Sequence, residues 1–481
     1  MKLLAKLQDR SATVSVIGLG YAGLPLALAF AEAGFRVVGV DVDGHRVACV
    51  NRGESYVPDV PAGKLARPVR EGRLCATGDY GALAAVDTVT ISVPTPLGPG
   101  HLPDLSYIER AVDGLAPFLH REQLVVLEST TYPGTTEELI LPRLEAAGLR
   151  AGDDFYLGFA PERIDPGGTS SRGFTFRNVP KLVAGATLRC RDHVAALYQA
   201  VVDTVVPVSS LRAAEMAKLV ENSFRMVNVG FANEVALMCD QLGVDVWEVI
   251  DAAATKPFGF MAHYPGPGLG GHCIPVDPYY LAWKLKTLDY TARFIELAGE
   301  VNRSMPAFVV SRVAGALERR GHTLRGANVL TLGVTYKRDV ADLRESPSLD
   351  VLALLLERGA RAGYHDPYVP ALTVRLRNGA PAAGAAAAPL AGSFARARER
   401  GGGPAGWRAT RRYPHTKAAA ERRLERVDLC RGLDEADCVV IATDHSSYDW
   451  EAIASRARLI VDTRNALRRV PRDGRAEIVK L

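Results

Sequence analysis

A single cysteine, Cys273, ends the glycine-rich stretch GPGLGGHC, and a carboxylate, Asp277, follows four residues later. Glycines add no side-chain bulk and permit positive φ, so a thiol placed here can approach a bound molecule closely. A thiolate that attacks an electrophilic carbon forms a covalent intermediate, and a neighbouring carboxylate can orient water or move protons. The alternative roles are a small buried residue for Cys273 and a helix cap for Asp277. The loop offers no apolar core face, which favours a nucleophilic thiol.

A long helical segment upstream of this loop carries Glu215, Lys218 and Asn222. Spacings of three and four residues put these side chains on one face of a helix. A lysine and an amide on one face can stabilise an oxyanion by charge and by hydrogen bonding. The trio also fits a solvated helix face, so its catalytic interpretation depends on the presence of Cys273 in the same predicted domain.

A glycine fingerprint opens the chain. Gly18, Gly20 and Gly23 form GxGxxG between a predicted strand at residues 13–18 and a predicted helix, and Asp41 ends the next predicted strand. Such glycines let a pyrophosphate approach a helix N-terminus, while the carboxylate accepts hydrogen bonds from ribose hydroxyls. Because a negative charge at Asp41 repels a 2′-phosphate, we expect NAD rather than NADP. The electrophile for Cys273 would then be an aldehyde made beside the cofactor.

Three further segments place polar residues just after predicted strands. In open parallel sheets, ligands bind just outside the carboxyl ends of the strands. ESTTYPG contains Thr131, whose hydroxyl can contact phosphate, ribose or a reacting water, or can cap a helix. APER contains a candidate base, Glu162, and a candidate anion ligand, Arg163, which could equally form a salt bridge. In GVTYKRDVADLRESP, Lys337 and Arg344 are candidate phosphate ligands.

The elements that must position these residues alternate between strand and helix at both ends of the chain. We predict an NAD-binding domain at residues 1–210, a helical middle domain with a long connecting helix at 211–321, and a second, smaller parallel-sheet domain at 322–481. The last domain carries an Ala/Gly/Arg-rich stretch at about 378–425, which predicts a mobile insertion with a possible short helix near 416–426.

Composition narrows the classes of protein that need to be considered. A net charge of +4 over 481 residues does not argue for nucleic-acid binding. No apolar run reaches the roughly 18 to 20 residues that a membrane span requires, and the first residues do not form a signal peptide. We therefore expect a cytoplasmic protein with no membrane partner and with its seven cysteines reduced. No spacing typical of metal ligands occurs, so no metal is predicted.

Seven segments together resemble the UDP-glucose/GDP-mannose dehydrogenase family. They are GLGYAGLPLA, SVPTPL, ESTTYPGTTEE, APERIDPG, EMAKLVENSFRMVNVGFANE, GPGLGGHCIPVDPYYL and GVTYKRDVADLRESP. The resemblance implies an α/β protein with two Rossmann-like doubly wound parallel-sheet domains joined by a helical middle domain. It also implies NAD in the first sheet domain, the UDP part of a sugar nucleotide held largely by the second, and a homodimer or higher homo-oligomer.

The resemblance further implies a role for each candidate residue. Cys273 is the expected nucleophile, with Lys218 and Asn222 stabilising the oxyanion. Asp277 and Thr131 would orient water, and Glu162 would assist hydrolysis of a thioester. The expected cofactor contacts are Gly18, Gly20, Gly23, Asp41, Arg46, Thr95, Thr131 and Arg344. The expected substrate contacts are Glu162, Arg163, Lys218, Asn222, Gly270 and Lys337.

The activity implied by the resemblance is oxidation of the C6 alcohol of a nucleotide sugar to a carboxylate, in two NAD-dependent steps through a thioester on Cys273. GGHCIPVDPYYL and ARFIELAGEVN resemble the branch that acts on UDP-N-acetylhexosamines. UDP-N-acetylglucosamine is the expected substrate, and UDP-N-acetylmannosamine and UDP-glucose are the alternatives.

Two rival functions fit the sequence less well. A two-electron β-hydroxyacid dehydrogenase would share the first domain, but it would need neither Cys273 nor the α/β segment after residue 326. A catalytically silent sensor of nucleotide sugars could lose Cys273, Lys218 and Asn222, and all three are present.

Overall fold

The computed structural model describes residues 2–57, 60–98, 100, 102–146, 148–164, 173–376, 420–471 and 476–481. The chain divides into two compact units. The first unit comprises Met1–Met226 and Cys273–Glu296, and the second comprises Val227–His272 and Leu297–Leu481. The predicted domain boundaries at about 210 and 321 stay predictions.

The first unit is built on an eight-stranded sheet. Its strands, β1 to β8 in chain order, are Thr13–Ile17, Arg36–Val40, Leu74–Thr77, Thr88–Ile91, Leu124–Leu127, Tyr156–Phe159, Lys181–Gly185 and Val205–Pro207. They lie in the order β8-β7-β6-β5-β4-β1-β2-β3, and every neighbouring pair is parallel except β6 and β7, which are antiparallel. The order reverses direction between β1 and β4, as in a doubly wound sheet.

The central strands of this sheet, β1, β4, β5 and β6, are buried on both faces, which explains their runs of apolar residues. In β1, Val14 and Val16 pack into one core cluster, whereas Ile17 packs into another on the opposite face. Helices therefore cover both sides, and the loops that follow β1 to β6 gather at one edge.

The structure has helices in both units. They are Leu3–Asp9, Gly23–Glu32, Gly44–Asn51, Ala62–Arg70, Ser106–Leu115, Leu141–Glu145, Leu188–Tyr198, Leu211–Leu242, Val246–Ala254, Asp277–Lys286, Arg293–Arg319, Pro347–Glu357, Leu429–Glu435 and Trp450–Arg456. The connecting helix predicted in the middle domain is Arg293–Arg319, with 27 residues, and the shorter helix Asp277–Lys286 precedes it. Within the described part of the chain, no helix is both long enough and apolar enough to cross a bilayer.

The second unit contains a five-stranded parallel sheet and a separate hairpin. Its strands, β9 to β15, are Asn328–Leu332, Arg361–His365, Ala371–Leu376, Ala420–Glu425, Cys438–Ile441, Leu459–Asp462 and Glu477–Lys480. The sheet order is β10-β9-β13-β14-β15. The sequence-based fold class, α/β with two parallel-sheet domains and a helical middle region, is confirmed.

The hairpin corrects one prediction. Residues 420–425 form strand β12, paired antiparallel with β11, and not the short helix predicted near 416–426. Pairing with Ala371–Leu376 overrides the helical preference of AERRLE, because strand pairing and burial can outweigh intrinsic propensity. The rest of the predicted insertion, 377–419, lies outside the described residues.

Candidate active site

The turn after β1 has the geometry that a dinucleotide requires. Gly18 adopts φ +92°, and its N–H donates to the Val40 carbonyl at 2.7 Å. A Cβ on Gly18 would lie 2.3 Å from the Ser92 carbonyl oxygen, and one on Gly23 would lie 1.8 Å from the Gly18 carbonyl oxygen. The chain therefore passes through this turn only with glycine at both positions, and the helix beginning at Gly23 points its N-terminus at the turn.

A carboxylate stands beside the turn, as predicted. Asp41 is only 6% exposed, and its Oδ2 accepts the Leu19 N–H at 2.7 Å and Arg46 Nη1 at 3.3 Å. A Cβ on Gly20 would meet nothing nearer than Arg46 Nη1 at 4.0 Å, so space remains above that glycine. Open space, a helix N-terminus and a fixed carboxylate fit the pyrophosphate and ribose of NAD.

The loops after β4 and β5 are held together by hydrogen bonds. Ser129 Oγ accepts the Val93 N–H and donates to the Val93 carbonyl, both at 2.8 Å. Tyr280 donates to the Pro96 carbonyl at 2.9 Å, which fixes the segment containing the buried Thr95. Thr131 is 1% exposed, and its Oγ1 has no hydrogen-bond partner among the described residues. Because a buried polar atom is rarely unpaired, this hydroxyl is suited to a ligand or water.

Four predicted catalytic residues belong to the first unit and meet at the start of the helix Asp277–Lys286. Asn222 Nδ2 donates to Asp277 Oδ2 at 2.5 Å, and the Asp277 N–H donates to the Cys273 carbonyl at 2.8 Å. Lys218 lies one helical turn before Asn222 and is also buried. Cys273 is partly exposed.

The charge state of Asp277 is finely balanced. Burial raises its pKa to about 6, while the positive charge of Lys218 and the hydrogen bond from Asn222 oppose the rise. A carboxyl group with this pKa can hold or release a proton near neutral pH, which suits a group that relays protons.

Glu215 shares the helix face of Lys218 and Asn222 but contacts different residues. Its carboxylate accepts the Gly134 N–H at 2.5 Å, and the Thr136 N–H and hydroxyl at 3.0 Å and 2.7 Å. Burial raises its pKa to about 7 against these hydrogen bonds. Glu215 therefore anchors the loop after β5 to the long helix.

Glu162 lies in the loop after β6 and is held at both oxygens. Oε1 accepts the N–H groups of Arg163 and Ile164 at 2.8 Å and 2.6 Å, and Oε2 accepts Lys181 Nζ at 3.2 Å. Arg163 forms an ion pair with Glu221 at 2.5 Å, which is the rim salt bridge considered from the sequence.

Sequence reasoning missed Lys181 as a site residue. Its ammonium also donates to Glu128, which follows β5 directly and is almost fully buried. The sequence did carry a signal, because each of two apolar segments has a charged residue at its end: Glu128 directly follows LVVL, and Lys181 directly precedes LVAG. Charged residues are seldom buried without a partner of opposite charge, so a partner could have been expected for each of these two residues.

The other predicted ligand contacts, Gly270, Lys337 and Arg344, belong to the second unit. The Gly271 N–H donates to the Arg344 carbonyl at 3.0 Å, and a Cβ on Gly270 would lie 2.5 Å from Tyr336 Cβ. Arg344 makes a two-pronged ion pair with Asp342, with its closest contact at 2.6 Å. Lys337 lies in the loop after β9, where its carbonyl accepts the Thr335 hydroxyl at 2.9 Å.

A cleft of about 490 Å³ in the second unit was not foreseen from the sequence. Its lining includes Trp247, Tyr264, Arg338, Asp444 and Arg464. The two rings stack with centroids 5.6 Å apart. Arginines beside stacked rings suit an aromatic base and an anion.

Comparison with known proteins gives matches along most of the chain. Three models of the UDP-glucose/GDP-mannose dehydrogenase family match: the NAD binding domain at residues 12–202, the central domain at 212–304 and the UDP binding domain at 330–395. The sequence is 33% identical over 465 residues to a UDP-N-acetyl-D-mannosamine dehydrogenase of Pyrococcus horikoshii, covering 95% of this chain and 96% of that protein.

The chain is also similar to a second relative in sequence and to a solved structure in fold. The chain is 36% identical over 360 residues to a UDP-N-acetyl-D-glucosamine 6-dehydrogenase of Pseudomonas aeruginosa, covering 74% of this chain and 83% of the other. A solved structure of UDP-D-ManNAc dehydrogenase from Pyrococcus horikoshii superposes with a TM-score of 0.79 at 32% identity, covering 97% of this chain and 99% of the other.

Proposed function

Because this chain belongs to the UDP-glucose/GDP-mannose dehydrogenase family and is an NAD-dependent nucleotide-sugar 6-dehydrogenase, we propose that it oxidises the C6 alcohol of UDP-N-acetylglucosamine to the carboxylate. The overall reaction converts one primary alcohol, one water and two NAD into a carboxylate, two NADH and three protons. NAD, when bound, accepts the hydride in each oxidation.

Cys273 captures the aldehyde left by the first oxidation. The thiol sulfur bonds to C6 to give a thiohemiacetal, the second oxidation turns this into a thioester, and water releases the acid. The observation that carries this assignment is the cluster at the start of the helix Asp277–Lys286. There a partly exposed cysteine residue lies four residues before the buried Asp277, whose carboxylate accepts a hydrogen bond from Asn222. A two-electron dehydrogenase would have no use for a nucleophile in this setting.

Lys218 and Asn222 stabilise the negative charge that develops on the C6 oxygen. Both project from one face of the long helix Leu211–Leu242 and both are buried, so their effect on a nearby anion is little screened by water. Asp277 receives or returns the proton exchanged at this oxygen, since its pKa of about 6 allows both states.

Thr131 and Glu162 orient the water that hydrolyses the thioester. The Thr131 hydroxyl, which has no hydrogen-bond partner within the described ranges, can bind that water, and the Glu162 carboxylate can accept its proton. Further roles are assigned to residues whose local geometry permits ligand contact. The proposed cofactor ligands are Gly18, Gly20, Gly23, Asp41, Arg46, Thr95, Thr131 and Arg344. The proposed substrate ligands are Glu162, Arg163, Lys218, Asn222, Gly270 and Lys337.

UDP-N-acetylmannosamine is the second candidate substrate. The relative that matches over 95% of this chain is named for that sugar. The two sugars differ only in the configuration at C2, so the same catalytic groups serve both.

We also propose that the chain forms a homodimer through the helix Leu211–Leu242. The helix carries large apolar side chains that recur at spacings of four or seven residues and are between 38% and 76% exposed: Met216, Val220, Phe224, Phe231, Met238 and Leu242. A stripe of large apolar side chains at helical spacing buries efficiently against a second copy of itself.

The test is the amount of NADH formed per sugar consumed, measured over a panel of UDP-sugars. The proposal predicts about two NADH per sugar, with UDP-N-acetylglucosamine giving the highest kcat/KM. About one NADH per sugar, with aldehyde as the product, would refute the four-electron assignment. Preference for UDP-N-acetylmannosamine would replace the substrate and keep the mechanism.

A further inference from the structure

Three charged side chains of the first unit, including the proposed hydrolytic residue Glu162, form a largely buried cluster. Lys181 Nζ donates to Glu128 Oε1 and, at 3.2 Å, to Glu162 Oε2. The side chains of Lys181 and Glu128 are 4% and 1% exposed, whereas that of Glu162 is 19% exposed. Glu162 is thus the one member of the cluster with a side open to a ligand.

The sheet topology explains why these residues meet. β6 and β7 are antiparallel, with Gly158 opposite Gly185 and Phe159 opposite Ala184. Continued by three residues, this register sets Lys181 opposite Glu162. Glu128 reaches the same edge because it directly follows β5, which is parallel to β6. The single antiparallel pair in the sheet therefore brings a lysine to the edge where the carboxyl ends of β5 and β6 lie.

The cluster has a substantial energetic cost. Moving one charge out of water costs several kcal/mol, and a buried ion pair is often no more stable than well-packed apolar residues. Here one ammonium faces two carboxylates. Burial raises the pKa of Glu128 to about 7, although Lys181 opposes this, and Glu128 Oε2 has no hydrogen-bond partner among the described residues. Such an arrangement is typical of functional sites, where stability is given up for chemistry.

The hydrogen bonds of Glu162 show what the cluster achieves. One oxygen is held by two backbone N–H groups and the other by Lys181. Burial alone would lower the pKa of Lys181, but the two carboxylates beside it raise it overall, so Lys181 stays charged. The ammonium of this charged lysine fixes the direction of the lone pairs on Glu162 Oε2.

We propose that Lys181, supported by Glu128, is a positioning residue for thioester hydrolysis, because its hydrogen bond holds the Glu162 carboxylate in the orientation in which it accepts the water proton. In this step the water oxygen bonds to the thioester carbon, the C–S bond breaks with its electron pair on Cys273, and the water proton passes to Glu162. The inference rests on the proposed function of Cys273 and Glu162. Lys181 itself touches no substrate.

The test compares Lys181→Met, Lys181→Gln and Lys181→Arg with Glu162→Gln. Rapid-quench turnover with UDP-N-acetylglucosamine and NAD is followed by NADH absorbance and by intact-protein mass spectrometry. Lys181→Met and Lys181→Gln should keep the rapid phase of NADH formation, lose at least about tenfold in steady-state kcat and accumulate the thioester adduct. Lys181→Arg should restore most of the rate, since it retains the charge.

A matched control is Lys284→Met, which removes another lysine ion pair of the first unit, the one to Glu138 at 2.6 Å. It should accumulate no adduct. If Glu162→Gln accumulates the adduct while neither the methionine nor the glutamine variant at 181 does so, the role of Lys181 is refuted. An equal slowing of the rapid phase and the steady state also refutes it, since that is the result of a merely structural role. Absence of the adduct from Glu162→Gln would instead contradict the proposed function.

Discussion

Replacing Asn222 by alanine tests the description of the buried Asp277 carboxylate. Asn222 donates to Asp277 Oδ2 at 2.5 Å, and both side chains are buried. The pKa of about 6 means that Asp277 is mostly ionised at pH 8 and mostly protonated at pH 5. A hydrogen bond to a charged group contributes about 1.5 to 3 kcal/mol, and one to a neutral group about 1 kcal/mol.

The sign of the pH dependence follows from the group that is stabilised. Burial stabilises the protonated form, and Asn222 partly offsets this by stabilising the ionised form, so its removal raises the Asp277 pKa above 6. The loss of stability is therefore larger above pH 6 than below it. For a unit of this size, about 1 kcal/mol corresponds to roughly 2 to 4 °C in Tm. Asn222→Ala should lower the Tm by about 4 to 8 °C at pH 8 and by about half as much at pH 5.

Differential scanning calorimetry at the two pH values makes the measurement. Ser223→Ala is the matched control, because the neighbouring Ser223 Oγ is buried with no hydrogen-bond partner among the described residues. It should change the Tm by no more than about 1 °C at either pH. An equal loss at both pH values, or a larger loss at pH 5, would refute the claim that Asn222 acts on an ionised Asp277.

Three other predictions concern the cofactor turn and the long helix. Gly20→Ala should fold normally but raise the KM for NAD, because the added methyl group enters the open space above the turn. Gly23→Ala should lower the Tm, because its Cβ would lie 1.8 Å from the carbonyl oxygen of Gly18. Equal Tm values for the two variants would contradict this difference. Asp41→Ala should reduce the ratio of kcat/KM for NAD over NADP by at least about tenfold, since it removes a charge that repels the 2′-phosphate; an unchanged ratio would show that Asp41 does not select the cofactor. Phe231→Glu, at a position 58% exposed, should convert a dimer to a monomer in sedimentation equilibrium, and a wild-type monomer would refute the proposed interface.

The sequence predicted most of the first sheet because its strands are apolar runs separated by helices. It also predicted the turn at Gly18, because glycine is required there both by a positive φ and by the nearby Ser92 carbonyl. Local pattern and tertiary structure agree in these segments, so reasoning from short windows of sequence succeeds.

Other features depend on contacts between distant segments. The pairing of Lys181 with Glu162 follows from the antiparallel direction of β7, which no local pattern of KLVAG indicates. Strand β12 was predicted as a helix, because AERRLE has helical preference and its partner, Ala371–Leu376, lies more than forty residues away. The bond from Asn222 to Asp277 likewise joins segments 55 residues apart. Spacing could place Asn222 beside Lys218, but it could not show that the amide binds a carboxylate.

The most direct test of the account is peptide mapping by mass spectrometry after rapid acid quenching of the enzyme during turnover of UDP-N-acetylglucosamine. We predict that the peptide containing Cys273 gains the mass of the C6-acyl nucleotide sugar, that the gain is greater in Glu162→Gln, and that it is absent from Cys273→Ala. Absence of any such mass from both the wild type and Glu162→Gln, together with release of the aldehyde into solution, would contradict covalent catalysis by Cys273.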